Sequence, residues 1–261
     1  MNNISPEMFE YKDKNFGDTQ GIVVKTSPEV FYPTSTSTLL LAAVRQFVNP
    51  DLLLENSKRE VGATSALDLG CGSGIVAVVL AKLVLPQAAI HASDISAEAV
   101  KLAQRNAEEN QLTIDCRSGS LFEPWTGMKF DLIVDDVAGM SEPIARHSHW
   151  YPPHIHSNAE EDGTRWIVKI LSQAPNFLTP QGRIFFPVLT LSNEAKILAT
   201  AQKHFAKVEL RAEQWYPLGN DLLPHLTLIE DLMARGLVEI KKKGSRWLWA
   251  TKIYLATNQG Y

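Results

Sequence analysis

A glycine-rich turn stands where a short apolar segment gives way to a helical one. The segment Ser65–Leu69 is mostly apolar, and Gly70, Gly72 and Gly74 follow it at alternate positions. Glycines let the backbone turn sharply and let a ligand lie against it without meeting a Cβ atom. In open parallel sheets, ligands bind beyond the carboxyl ends of the strands at a turn of this kind. Because several classes of nucleotide-binding domain use such a turn, it predicts a nucleotide-like ligand but no particular reaction.

Two carboxylates narrow the choice of ligand. Asp68 lies at the end of the segment before the first glycine, where its charge would repel a pyrophosphate and would suit a cationic amino acid group and a sulfonium. Asp94 ends the next predicted strand and is placed to accept hydrogen bonds from both hydroxyls of a ribose. A dinucleotide fingerprint that starts at the first glycine would need a glycine at Ile75, although a frame starting two residues later is completed by Ala77. Dinucleotide binding is therefore disfavoured and remains the alternative.

Alternating strands and helices must position these groups. Seven segments of strand character are separated mainly by helical ones, at 65–69, 89–93, 113–117, 130–134, 182–189, 207–216 and 247–257. Strands joined by helical crossovers predict a parallel sheet with helices on both faces. The sequence therefore predicts an α/β fold: a doubly wound, seven-stranded Rossmann-like sheet with an antiparallel edge strand and a short N-terminal extension.

The bulk composition excludes several classes of function. The net charge of −4 over 261 residues argues against broad binding to nucleic acid or to an anionic membrane. The two cysteines, Cys71 and Cys116, imply no disulfide framework. No apolar run approaches the roughly 18 residues that cross a bilayer, and the first residues lack the layout of a signal peptide. We expect a cytoplasmic protein with a small-molecule or peptide substrate and without a nucleic-acid or membrane partner; a homodimer is left open.

At its glycine-rich turn the chain resembles the class I S-adenosylmethionine-dependent methyltransferases. Residues 66–74 (ALDLGCGSG) resemble the first motif of these enzymes, and residues 92–96 (ASDIS) resemble the second. The resemblance implies that S-adenosylmethionine is the cofactor, and that the loop after the third strand approaches its adenine. It also implies a catalytic domain over residues 61–261, with residues 1–60 as a cap that contributes to the substrate site. The expected cofactor-binding residues are Asp68, Gly70, Cys71, Gly72, Gly74, Asp94, Ile95, Ser120, Leu121 and Asp135.

A closer likeness is to the methyltransferase small domain branch, which includes protein-glutamine and ribosomal-RNA guanine methyltransferases. Residues 30–33 (VFYP) resemble its entry segment, and residues 121–124 (LFEP) are also typical of it. The branch usually carries Asn-Pro-Pro-Tyr after strand four, where the Asn and a prolyl carbonyl bind a planar amide or an exocyclic amine. This chain has residues 136–139 (DVAG) there. Loss of the prolines and the ring puts methylation of amides and of bases in doubt.

Asp136 stands at the position of the branch's Asn. Methyl transfer needs an acceptor lone pair in line with the S–CH3 bond at close contact. A carboxylate there can hold a cationic amine or guanidinium, or act as a general base. Asp136 is therefore predicted to be catalytic or substrate-orienting; the alternative is a helix cap or a cofactor contact.

The predicted function is methyl transfer from S-adenosylmethionine to a nitrogen or oxygen of a small molecule or peptide. One alternative is a protein or ribosomal-RNA N-methyltransferase, and a second is a catalytically inactive binding subunit that keeps the methyltransferase fold.

A histidine-rich stretch, residues 146–156, is predicted on the same rim. Imidazole suits several transition metals, but methyl transfer needs none, so we expect no bound metal. A lid over the site is favoured and an ordinary exposed loop is the alternative. In a lid, Tyr151 and His154 are the predicted catalytic partners of Asp136, with the histidine accepting the released proton. The expected substrate-binding residues, in the entry segment, in this stretch and at the end of strand six, are Phe31, Tyr32, Trp150, His156 and Trp215.

Overall fold

An eight-stranded mixed sheet forms the centre of the computed structural model, which describes residues 7–48, 65–137, 139–151 and 158–258. A separate two-stranded sheet precedes it. In the described ranges the strands are β1 (Met8–Tyr11), β2 (Ile22–Lys25), β3 (Ser65–Leu69), β4 (Ala89–Asp94), β5 (Asp115–Ser118), β6 (Phe130–Asp135), β7 (Leu178–Leu189), β8 (Lys207–Pro217), β9 (Lys241–Lys243) and β10 (Arg246–Thr257). The helices are α1 (Ser35–Phe47), α2 (Ile75–Val79, continued as a π-turn to Val84), α3 (Ala97–Glu109), α4 (Glu142–Ala145), α5 (Arg165–Gln173), α6 (Glu194–His204) and α7 (Leu226–Ala234).

The strand order confirms the predicted doubly wound fold. Its seven main strands run β5-β4-β3-β6-β7-β10-β8, and the short β9 pairs with β10 as an eighth strand that the sequence did not predict. Strands β3 to β7 are parallel, and β10 is antiparallel to both of its long neighbours. The predicted antiparallel strand is present, but it lies between β7 and β8 instead of at the edge. Most of β10 is buried, and a buried strand needs hydrogen-bonding partners on both sides.

Two layers of helices cover the sheet and leave the carboxyl ends of the parallel strands open. Successive residues of a strand point to opposite faces. Accordingly Leu132 and Val134 pack in the core beneath α1 and α2, whereas Ile133 packs in the core on the α5 and α6 side. Of the helices in the described ranges, none is long and apolar enough to cross a bilayer.

Buried Asn106 on α3 ties the N-terminal hairpin to the glycine-rich turn. Its Oδ1 accepts a hydrogen bond from Lys25 N at 2.8 Å, and its Nδ2 donates to Lys25 O at 2.9 Å and to Ser73 O at 2.8 Å. One fully buried side chain thus connects β2, α3 and the turn after β3.

Replacing Asn106 by alanine is expected to lower the free energy of unfolding by about 2 kcal/mol, because buried polar groups lose their partners. Chemical denaturation measures the change. Gln104→Ala, which truncates an exposed side chain on the same helix, is the control and should change stability little. Equal stabilities of the two variants would contradict this role of Asn106.

Candidate functional site

A cavity of about 290 Å³ lies at the carboxyl ends of β3, β4, β5 and β6. Its other walls come from the segment before α1 and from residues near positions 151 and 158. Ten residues expected from the sequence line it: Phe31, Gly70, Cys71, Gly72, Asp94, Ile95, Ser120, Leu121, Asp136 and Tyr151. The described lining also includes residues that sequence reasoning missed, among them Pro33, Ser37, Asn158 and Trp166.

The glycine-rich turn forms the floor of this cavity, and its conformation requires glycine at two points. Gly70 and Gly74 both have φ of +80°, a region that L side chains rarely adopt. A Cβ on Gly70 would stand 2.4 Å from Val137 Cγ2, and a Cβ on Gly74 would stand 2.9 Å from the Cα of Ala103. Gly74 is absent from the described lining of the cavity, and its lack of a side chain lets α2 and α3 come into close contact.

Asp94 is held at the cavity wall by backbone donors. Its Oδ1 accepts from Ser96 N at 2.8 Å, and its Oδ2 accepts from Gly72 N at 3.0 Å. Burial raises the pKa of the carboxyl, and the backbone hydrogen bonds oppose this shift. Because each carboxylate oxygen has a second lone pair, Asp94 can still accept hydrogen bonds from a ligand.

Asp68 and Asp135 lie behind the wall and do not line the cavity. The Oδ2 of Asp68 accepts from Ala77 N at 2.9 Å, because residue 68 points to the face of the sheet that α2 covers. The Oδ1 of Asp135 accepts from Val137 N at 2.9 Å. The other carboxylate oxygen of each residue is buried without a hydrogen-bond partner among the described residues. Burial raises the pKa of both carboxyls well above the ordinary value.

Asp136 faces the cavity directly after β6. Its backbone N donates to Leu69 O at 3.0 Å, and its Oδ2 accepts from Ser37 Oγ at 2.8 Å. Removal of water from around the carboxyl raises its pKa to about 7, and the hydrogen bond from Ser37 opposes the rise. The only sequence signal for Ser37 was a run of hydroxyl residues at the start of α1. In the helix, Ser37 is the residue of this run that faces the cavity.

The loop after β6 is packed too tightly for the aromatic residue of the small-domain motif. Gly139 stands where the motif carries tyrosine. A Cβ on Gly139 would lie 2.4 Å from the backbone oxygen of Gly163. The loop therefore has a different packing as well as a different sequence.

An aromatic pair forms another part of the wall. The rings of Phe31 and Tyr151 lie 5.5 Å apart between centroids at an interplanar angle of 59°. Burial raises the pKa of the Tyr151 hydroxyl, so this group stays protonated. Tyr32 does not line the cavity; its ring packs edge-on against Phe9.

Two tryptophans expected at the substrate site lie elsewhere. Trp150 packs against Trp249, with ring centroids 4.9 Å apart. Trp215 donates from Nε1 to Glu213 Oε1 at 2.7 Å, and Lys241 Nζ lies 4.1 Å from its ring centroid. Each of these side chains therefore has partners within the protein, and neither lines the cavity.

The histidine-rich stretch is described only in part. His147 stacks on His225 at 3.6 Å between centroids, and His149 Nδ1 lies 2.7 Å from Asp221 Oδ2. The predicted site residues His154 and His156 lie outside the described residues. No group of three metal-ligating side chains occurs in the ranges that the structure describes.

The charge of the lining favours a cationic ligand. Asp94 and Asp136 line the cavity, while lysine and arginine are absent from its described lining. Asp68 and Asp135 add two further carboxyls behind the wall, and those of Asp68 and Asp136 interact by their charges. Like charges raise the pKa of nearby carboxyls, and a cation lowers it. A positively charged ligand would therefore stabilise these carboxyls in their ionised form.

Comparison with known proteins points to one family. The family model of the methyltransferase small domain matches residues 48–137. A release factor glutamine methyltransferase of Thermosynechococcus vestitus is 31% identical over 70% of this chain and 63% of the relative. Another, of Geobacter sulfurreducens, is 36% identical over 49% of this chain and 46% of the relative. The chain thus spans about half to two thirds of these relatives.

Two further matches cover a larger share of this chain. A putative protein N5-glutamine methyltransferase of Methanocaldococcus jannaschii is 26% identical over 77% of this chain and 92% of the relative. In structure, a Thermus thermophilus 16S rRNA N2 G1207 methyltransferase in complex with AdoMet and guanosine matches 97% of this chain and half of its own, with a TM-score of 0.60 and 17% identity. This second likeness concerns the fold.

Proposed function

Because this chain belongs to the class I S-adenosylmethionine-dependent methyltransferases, in the methyltransferase small domain branch, we propose that it transfers a methyl group to a nitrogen or oxygen of a small molecule or peptide. The family assignment confirms the resemblance inferred from the sequence. The observation that carries the proposal is the cavity itself, which is lined by the glycine-rich turn, by Asp94 and by the carboxylate of Asp136.

The residues present fit S-adenosylmethionine. Asp94 would accept hydrogen bonds from the ribose hydroxyls, and the turn at Gly70 and Gly72 leaves room for close approach to the backbone. Ile95, whose side chain is 71% exposed at the cavity rim, and Leu121 offer apolar surface to the adenine. The carboxyls at and behind the wall favour the sulfonium charge. When bound, the cofactor supplies an electrophilic methyl group.

Asp136 would orient the acceptor and take its proton. It reaches the cavity from the end of β6, and Ser37 holds its Oδ2. A general base works best when its pKa lies near the working pH, and the pKa of this carboxyl is about 7. The wall of Phe31 and Tyr151 would exclude water from the reacting atoms.

Amide methylation, named for the relatives, is less well supported for this chain. The Asn-Pro-Pro-Tyr residues that would hold a planar amide are replaced, and Gly139 sits against the backbone of Gly163. We propose an acceptor other than the glutamine amide.

The direct test is calorimetric titration of the purified protein with S-adenosylmethionine and with NAD, followed by transfer assays with a labelled methyl group. Binding of S-adenosylmethionine and not of NAD is the expected result. A protein that binds no S-adenosylmethionine at millimolar ligand, or that binds NAD instead, would end the proposal.

The affinity for S-adenosylmethionine is expected to rise with pH through about 7 and then level off. The pKa of Asp136 is about 7 without ligand, and a nearby sulfonium favours the ionised carboxylate. Cofactor binding below this pH must therefore release a proton. S-adenosylhomocysteine has the same amino acid group and an uncharged sulfur, so its affinity should depend less on pH. Parallel calorimetric titrations of the two ligands measure the difference, and identical pH profiles would contradict the coupling.

A further inference from the structure

The hydroxyl of Ser37 determines which oxygen of Asp136 remains available. Ser37 Oγ accepts a hydrogen bond from Thr34 N at 3.4 Å and stands 2.8 Å from Asp136 Oδ2. A hydroxyl has one proton, and the backbone N–H of Thr34 must be met by a lone pair. The proton therefore points to Asp136, and Oδ2 is the acceptor. The other oxygen, Oδ1, accepts no hydrogen bond from the residues that the structure describes.

The negative charge of this oxygen favours a cationic group on the acceptor. A carboxylate removed from water is costly unless it is paired with a positive group, and the described lining contains no lysine or arginine. The sulfonium of the cofactor brings a positive charge but no hydrogen-bond donor, and an alcohol or an amide would add no positive charge at Asp136 Oδ1. An acceptor with its own carboxylate or phosphate would add repulsion. An ammonium group compensates the charge and forms a charge-assisted hydrogen bond.

The neighbouring wall suits the same ligand. Phe31 and Tyr151 contact each other and line the cavity with Asp136. Aromatic rings attract ammonium groups through their negative faces, and they offer apolar surface to the carbon skeleton next to the nitrogen.

We propose that the acceptor of this site is an amine, bound as its ammonium form against Asp136 Oδ1 beside the rings of Phe31 and Tyr151. The inference rests on the proposed function and names its substrate class. The site would thus differ from an amide or base site in its charge and in its walls.

The proton and electron balance is complete with the groups named. The ammonium gives one proton to Asp136 Oδ1, which leaves a neutral amine and a neutral carboxyl. The nitrogen lone pair forms the N–C bond, the S–C bond breaks, and its electron pair stays on sulfur, so the donor's positive charge passes to the methylated nitrogen. No oxidant, reductant or metal enters this balance.

Binding of three small probes to the protein saturated with S-adenosylhomocysteine tests the inference. Benzylamine, benzyl alcohol and benzamide share an aromatic skeleton and differ in the group that meets Asp136. At about pH 8, where an alkylamine is still mainly protonated, calorimetry should show benzylamine binding about 10-fold more tightly than the other two, as expected for one charge-assisted hydrogen bond. Asp136→Asn should abolish this preference.

A matched variant controls for net charge. Glu98→Gln removes an exposed carboxylate on α3 that pairs with Lys101 and should keep the preference for benzylamine. The inference is overturned if benzyl alcohol or benzamide binds as tightly as benzylamine, if benzylamine does not bind, or if Asp136→Asn keeps the preference. A protein that does not bind S-adenosylhomocysteine at all would contradict the proposed function itself, and the inference would fall with it.

Discussion

Replacing Asp136 by asparagine is expected to lower kcat by about 100-fold or more, in line with the loss of a general base. The variant removes the proton acceptor at the cavity and restores the residue type that the small-domain motif carries there. The backbone contact of residue 136 with Leu69 is kept, so the fold should be unaffected. Affinity for S-adenosylhomocysteine should change little. Steady-state kinetics with an acceptor found in the labelled-methyl assay measure the effect.

The pH profile distinguishes the role of Asp136, the base, from that of Ser37, its hydrogen-bond donor. In the wild type, kcat/KM should rise through about pH 7, because kcat/KM reports the free protein, in which the pKa of Asp136 is about 7 and the ionised form is the base. Ser37→Ala removes the hydrogen bond that lowers this pKa, so the midpoint should move to higher pH while activity persists. The asparagine variant should lose the dependence on this group. Wild-type turnover in Asp136→Asn would show that the carboxylate has no role in catalysis.

Replacing Gly74 by alanine is expected to lower the free energy of unfolding by about 4 kcal/mol, from backbone strain and overpacking together. The residue has φ of +80°, and its new Cβ would meet the Cα of Ala103 at 2.9 Å. The helices cannot separate at this point without a cost in stability, because the contact is with the backbone of α3 where it meets α2. Denaturant unfolding gives the change in stability, and titration with S-adenosylmethionine gives the accompanying loss of binding.

Gly127 supplies the matched control. It has φ of +83°, but a Cβ there would meet no atom within 4 Å. Gly127→Ala should therefore cost only the strain of the left-handed backbone, about 1–2 kcal/mol. If both alanine variants were equally stable, the close approach of α2 and α3 at Gly74 would not matter for the fold.

The agreement between sequence and structure is best where the signal is local. The strand at Ser65–Leu69 has the bounds that the sequence predicts. Ser96, a residue type that favours helix N-caps, caps α3, with its Oγ accepting from Ala99 N. Strand formation, helix capping and glycine turns depend on residues a few positions apart, so these elements can be derived without knowledge of the whole fold.

The direction of individual side chains was predictable only in part. Asp68 was expected at the ligand, but the alternation of the strand turns it toward α2. Trp150 and Trp215 are aromatic residues in suitable segments, yet they contact Trp249 and Lys241 and do not line the cavity. The surface against which a side chain packs depends on elements that are distant in sequence, so a local sequence pattern does not predict it.

The sequence by itself determined the α/β fold, the glycine-rich turn and the carboxylate of Asp94 at the end of the second parallel strand. Only the tertiary structure decided that β10 is inserted between β7 and β8 and that Ser37 meets Asp136 across 99 positions of the chain. The physical reason is that backbone conformation follows from neighbouring residues, whereas the acceptor end of the cavity is assembled from segments that come together only when the core packs.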